Sequence, residues 1–296
     1  MKKILLPHDI ITIIYILLTV SITIAGCSLL EGTFSHFIVK SLMLAFILAI
    51  SFIHGKTKNQ IINLVHNFYP LLFLGYFYGE TGYLNNLLFN DLDPYFRDFE
   101  QKFFGFQPSL EFSEMFPQKW FNELMNFGYF SYYFLTITIC VAVYIINRPQ
   151  FLRTIFIVIT SFFIYYLIFI IFPVIGPQFY FIPPLSKIPD AGFFREAVKF
   201  IQSVGEQPTG AFPSSHVGMA LIFLYLAYIY YRKLFVIILP LVVILMFATV
   251  YIKAHYLVDV IGGVISAPVV LYLSMRLYKV FGGKQEFDAK RKNMGA

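Results

Sequence analysis

Charge is what this sequence has least of. Aspartate, glutamate, lysine and arginine make up 13% of its 296 residues, about half the share found in a soluble globular domain. With 58% of the chain apolar, too few polar side chains remain to cover a surface in water. A soluble fold is excluded, and residence in a membrane follows. Cysteine is nearly absent too. Cys27 and Cys140 both sit inside apolar runs, which excludes a disulfide framework and a cysteine-rich metal site. No repeat period is visible, and the first apolar run lacks a small-x-small cleavage site, so it reads as a retained helix. A net charge of +6 would suggest nucleic acid in a soluble protein. Here its distribution matters more than its sum, and no nucleic-acid partner is expected.

What the chain has in abundance is long hydrophobic runs. Stretches of about 17–25 apolar residues can cross a hydrocarbon core roughly 30 Å thick. Eight fit: 9–30, 36–54, 61–79, 124–146, 152–172, 215–231, 234–252 and 256–280. They predict an all-α, polytopic membrane helix bundle of about six to eight transmembrane helices with a six-helix catalytic core. The expected division is 1–80 as N-terminal transmembrane helices, 81–123 as an outward-facing cap or interfacial loop, 124–280 as the catalytic region, and 281–296 as a cytoplasmic basic tail. Short loops rich in Lys and Arg stay cytoplasmic. One side of an eight-helix arrangement receives Lys2, Lys3, Lys56, Lys58, Arg148, Arg153, Arg232, Lys233 and six basic residues from Arg276 to Lys292, fourteen of the 22. Both termini are therefore expected in the cytoplasm, with the long loops 80–123 and 173–214 facing outward from a cell (inner) membrane.

The stretch DPYFRDFEQKFFGF in the first long loop mixes charge with aromatics. One reading is an interfacial amphipathic helix with Phe96, Phe99 and Phe103 toward lipid and Arg97, Asp98 and Lys102 toward water. The other is a structured cap over the helix ends.

Two short segments carry chemistry, and both fall at the outer ends of helices. In KAHYLVD (253–259), His255 and Asp259 are four apart, one helical turn on one face. A carboxylate there can hold one imidazole nitrogen and leave the other a free lone pair; the plainer reading is a helix-end cap. In GAFPSSH (210–216), Ser214 suits an N-cap. The N–H groups around Ser215 and His216 would then face out of a helix N-terminus, a ready anion site. Lys253 either adds positive charge to that pocket or marks a helix end by snorkelling. An anion cradle, a cation and two histidines form an inventory for phosphoryl transfer through a phosphohistidine, with no metal and no cofactor required.

PSSH (213–216) and HYLVD with its trailing VIGG (255–263) resemble the second and third signature motifs of the type-2 phosphatidic acid phosphatase superfamily. The resemblance implies His255 as nucleophile, Asp259 as its orienter, His216 as the acid for the leaving alcohol, and Ser214 and Ser215 as phosphate contacts. The family's first motif, a lysine followed seven residues later by Arg-Pro, is missing. FPVIGPQFY (172–180) lies in its place and carries Gln178 where a cation would stand. Thr249 replaces the usual arginine six residues before the nucleophile, and Lys253 can substitute from one turn on. These departures resemble the branch of inositol phosphorylceramide synthases and their bacterial relatives, to which DPYFRDFEQKFFG and YFSYYF are weakly similar.

The expected activity is an integral membrane lipid phosphatase, metal-independent, acting on a phosphomonoester or pyrophosphate of a lipid at the outer face. The alternative is a lipid phosphotransferase passing the phosphoryl or phospho-headgroup to an alcohol. A membrane transporter is remote, since the ionisable residues gather at helix ends and no paired halves are visible. A purely structural protein would give the two motifs no reason to share a face.

Overall fold

In the computed structural model, residues 5–181 and 192–282 are described. Each of the eight apolar runs is a helix, and no strand occurs among the described residues. Hydrocarbon offers backbone groups no partner, so a chain this apolar must satisfy them within each segment, as a helix does. The long helices are α1 (Pro7–Ala25), α2 (Thr33–Lys56), α3 (Gln60–Leu84), α6 (Lys119–Ile146), α7 (Arg148–Ile171), α10 (Ser215–Tyr230), α11 (Arg232–Tyr251) and α12 (Leu257–Phe281). Between them lie the short α4 (Asp93–Phe104), α5 (Pro108–Met115), α8 (Pro177–Tyr180) and α9 (Phe193–Gly205).

Among the described residues, six helices are long and apolar enough to cross a membrane: α1, α2, α6, α7, α11 and α12. The α3 helix has the length, but Asn63, His66, Asn67 and Glu80 dilute its apolar character. The α10 helix has the character but only 16 residues. Large apolar side chains such as Leu42, Leu72, Ile145, Val236 and Ile265 face outward, where lipid rather than water must meet them. The chain is a multi-pass membrane protein.

Single residues join α6 to α7 and α10 to α11 (Asn147 and Tyr231), which makes each pair antiparallel neighbours. Contacts fix the two ends of the bundle. Tyr230 donates to Gln150, and Arg153 reaches the Met275 sulfur, at the end that holds these short turns. At the other end, α4, α5, α8 and α9 cover the helix mouths. The enclosed α7 packs against α1, α3, α6, α10 and α12, and its buried face runs nearly all round, from Phe151 to Ile170.

The α4 helix is both the predicted amphipathic segment and a clamp on the bundle. Phe99 and Phe103 are exposed, but Phe96 is not turned toward lipid as expected. Its ring packs edge-on against Phe212 and beside Tyr256, because α4 lies across the GAFPSSH loop and needs an apolar residue on that side. Asp93 accepts from the N–H groups of Ile175 and Gly176 and from the Tyr256 hydroxyl. Glu100 accepts from Val258 N–H at the start of α12. The expected basic tail lies outside the described residues from 283 onward.

Candidate active site

The turn between α11 and α12 is short and strained. Lys253 has φ +69°, the one non-glycine residue in the left-handed region among the described residues, a conformation that costs energy unless neighbours enforce it. Here they do: the Lys253 carbonyl accepts from Gln178 N–H, and His255 N–H donates to the Thr249 carbonyl. The imidazole of His255 is thereby fixed over the GAFPSSH loop.

That loop comes close because α12 opens with glycines. A Cβ on Gly263 would stand 2.6 Å from the Ser214 carbonyl oxygen, and one on Gly262 the same distance from the Phe212 ring. The VIGG that trails the third motif is a packing notch. Ser214 caps α10, its Oγ accepting from Val217 N–H, and its own N–H donates to the Asp259 carbonyl. Ser215 and His216 then occupy the first turn, whose N–H groups have no acceptor within the helix.

The two histidines meet. His216 Nδ1 and His255 Nε2 are 3.2 Å apart, and His255 Nδ1 is 2.9 Å from the Ala211 carbonyl oxygen. A carbonyl only accepts, so Nδ1 of His255 carries the proton and Nε2 keeps the lone pair. His216 then donates through its Nδ1 to that lone pair. Burial pushes the His255 ring down to about 4, against the raising influence of the Glu206 charge and the Ala211 carbonyl. At neutral pH it is an uncharged base with its free nitrogen aimed at His216.

Asp259 stands somewhat apart. Its Oδ2 accepts from Tyr256 N–H at 2.8 Å and lies 3.6 Å from His255 Nδ1, too far for a hydrogen bond. It caps α12 and lays its carboxyl group beside the imidazole, while the Ala211 carbonyl holds the tautomer.

Gln178, Ser215, His216 and His255 line one small cavity of about 20 Å³ together with Glu206, Tyr129 and Tyr78. Neither Ser214, engaged as a cap, nor Lys253 lines it. The Lys253 ammonium is buried without a hydrogen-bond partner. Burial lowers it to about 8, with Glu114 raising it and Arg195 lowering it. Those neighbours place it toward α5 and α9.

Glu206, at the end of α9, carried no signal in the sequence. It accepts from the hydroxyls of Tyr129 and Tyr133, from the Gln178 amide at 2.6 Å, and from the Gln202 amide at 3.2 Å. Tyr129 and Tyr132, from the YFSYYF stretch, hold the His216 ring at centroid distances of 5.0 and 4.4 Å.

Beyond this cavity lies a far larger one, about 1250 Å³, walled by apolar residues of α2, α3, α6 and α7. Tyr78, Glu206, Gln207, Ser215 and His216 line both. The small polar chamber and the broad apolar groove are neighbours across His216.

A sequence model of the PAP2 superfamily matches residues 98–273, more than half of the chain, running from within α4 into α12. No curated protein matches, and no solved structure matches.

Proposed function

The chain belongs to the PAP2 superfamily, and from that premise we propose that it is a lipid phosphatase working through a phosphohistidine on His255. The observation that carries this reading is the pairing of His255 Nε2 with His216 Nδ1 at 3.2 Å, next to an apolar groove that ends on the same His216. The phosphate of a lipid whose tails occupy the groove arrives between the two rings. His255 Nε2 attacks phosphorus as the bond to the lipid oxygen breaks, and His216 supplies that oxygen with a proton. The new phosphoimidazole is a cation, and the Asp259 charge, 3.6 Å from Nδ1, offsets it. Water then attacks phosphorus, His216 recovers a proton, and phosphate leaves. The N–H groups at the start of α10, Ser215 and the Gln178 amide supply donors to the phosphate oxygens. Ser214 shapes that cradle as its cap, and Lys253 contributes at longer range. No step calls for a metal or a cofactor.

The chemistry sits at the end of the bundle away from the short basic turns, and the distribution of Lys and Arg supports reading that end as the outer one. One observation also favours a second acceptor. No Lys or Arg lines either cavity among the described residues, whereas Glu206 gathers hydroxyl and amide donors there. A polyol hydroxyl could dock on the same carboxylate and take the phosphoryl group in place of water.

The test is phosphate release from a panel of lipid phosphates in detergent micelles, comparing wild type with His255→Ala. Release by the wild type and none by the variant is expected. Equal release by both would remove His255 from the chemistry. Phosphoryl transfer to an added polyol that outpaces release would favour the second acceptor.

A further inference from the structure

Far from the paired histidines, at the opposite end of the bundle, the first three helices bring together a second polar cluster. His8 and Asp9 stand in the first turn of α1, Ser51 near the end of α2, and His66 and Tyr69 in the early turns of α3. All five are buried: His8, Asp9, Ser51 and His66 have no exposed surface, and Tyr69 has 2%. None lies within the residues matched to the superfamily, and nothing in the phosphoryl chemistry uses them.

We propose that His8, Asp9 and His66 form a binding site for a divalent transition-metal ion of the zinc class. One ligand atom from each lies within 4.8 Å of the others. The distance from His66 Nε2 to Asp9 Oδ2 is 2.9 Å, and from His8 Nε2 to Asp9 Oδ1 it is 3.4 Å. In a tetrahedral zinc site with bonds of about 2.0–2.1 Å, neighbouring ligand atoms stand about 3.3–3.4 Å apart. The three residues therefore need little movement to close on an ion. Ser51 Oγ, 3.2 Å from both Asp9 Oδ2 and His66 Nε2, marks the side on which a fourth ligand, hydroxyl or water, completes the set. Two imidazoles and one carboxylate suit zinc and its neighbours, whereas magnesium and calcium prefer oxygen throughout.

Hydrogen bonding by itself leaves this cluster incomplete. Asp9 is well served, by Leu6 N–H, Ser51, His66 and the Tyr69 hydroxyl. His8 Nε2 meets the His66 carbonyl. Yet Nδ1 of His8 and Nδ1 of His66 are both buried with no partner, and polar atoms left so in an apolar interior are costly. Two such histidines beside one buried carboxylate are poorly explained as packing. A cation bound at the two Nε2 atoms leaves each Nδ1 as the N–H of its ring. What it supplies is positive charge for the buried Asp9 and a joint between α1 and α3, with His8 Nε2 turning from the His66 carbonyl to the ion. The Tyr69 hydroxyl, donating to Asp9 Oδ1 at 2.8 Å, then acts as the outer partner that orients the liganding carboxylate.

The test uses the full chain in detergent micelles, stripped with chelator, incubated with Zn²⁺ and freed of excess metal by gel filtration. Wild type should retain about one zinc per chain, and a built site should also raise its melting temperature. His8→Gln keeps an amide able to donate to the His66 carbonyl but is a poor ligand, so it should fold and lose the zinc and the shift in melting temperature. His66→Gln should behave alike. His255→Ala should bind as wild type does, which separates this site from the other histidine pair. Cobalt in place of zinc should give the visible absorption of a tetrahedral ion in wild type and His255→Ala, and not in His8→Gln or His66→Gln. Wild type without bound zinc, or zinc held equally by His8→Gln and His66→Gln, would overturn the proposal.

Discussion

Ala211 has no side-chain chemistry to offer, yet its carbonyl decides which nitrogen of His255 is free. The i,i+4 spacing of His255 and Asp259 pointed to the carboxylate for that task. The sequence could show that the two share a face, but not that Tyr256 N–H takes the carboxylate first, at 2.8 Å. Backbone acceptors leave no mark in a sequence, and Ala211 could be found only by folding the chain. Gln178, Ser215, His216 and His255, which the motifs single out, come together around one cavity. Glu206 was not legible, because a lone acid in a long loop resembles any solvated charge. A measurable consequence belongs to the His255 ring. Burial lowers its pKa to about 4, whereas an unfolded histidine titrates at about 6.5. Nitrogen-15 spectra of the imidazoles, assigned by comparison with His255→Gln, should show Nδ1 protonated and Nε2 bare from neutral pH down to about 4. The unfolded chain takes up its proton over the window from about 6.5 to 4 and the folded one does not, so this group should cost stability as pH falls through that range. A ring protonated on Nε2, or titrating near 6.5, would break the assignment of its lone pair.

Helices were the easiest feature to read, since run length and hydropathy are direct signals of a segment that must satisfy its own backbone in lipid. How the helices touch was less legible. Phe96, Phe99 and Phe103 are alike as apolar residues on α4, and only the packing shows that Phe96 belongs to the protein while the other two face outward. Asp93 and Glu100, two carboxylates of that helix with no role legible in the sequence, are buried, pinning the N–H groups of Ile175, Gly176 and Val258. His66 lies 57 residues from Asp9, a separation no local pattern reveals. The junction of α10 with α12 gives the sharpest test at this scale. In Gly263→Ala the new methyl would stand 2.6 Å from the Ser214 carbonyl oxygen and 3.1 Å from the Val217 Cβ. Backbone cannot yield as a flexible side chain can, so α12 must move from the Ser214 loop at a cost of about 1–3 kcal/mol. Because the same loop sets His216 against His255, turnover should fall well beyond what the lost stability explains. A lowered melting temperature with unchanged phosphate release at a permissive temperature would show that this approach does not control the histidine geometry.

At the scale of the whole molecule, the small chamber of about 20 Å³ cannot hold a lipid, and the groove of about 1250 Å³ beside it can hold a long tail. Much of the groove wall comes from α2 and α3, which precede the residues matched to the superfamily. On the proposed reading, the N-terminal helices add the tail wall to a catalytic unit built by the rest of the chain. Gly75 and Gly79 of α3 line the groove, and an added Cβ at either meets nothing within 4 Å. Phenylalanine there fills space without forcing the helices apart, and it favours the helix over glycine. A displaced tail moves into surrounding hydrocarbon rather than water, so little transfer energy is lost. What is lost is the positioning of the phosphate between the two histidines. The double variant Gly75→Phe, Gly79→Phe should therefore lower kcat/KM for a long-chain lipid phosphate by about tenfold or more, a loss of at least about 1.4 kcal/mol in transition-state binding. For a short-chain soluble phosphate ester, which needs only the chamber, kcat/KM should stay near that of wild type. Equal losses on both substrates would mean that the fillings disturb the histidines themselves, and no loss on either would place the tail somewhere other than between α2, α3 and α6.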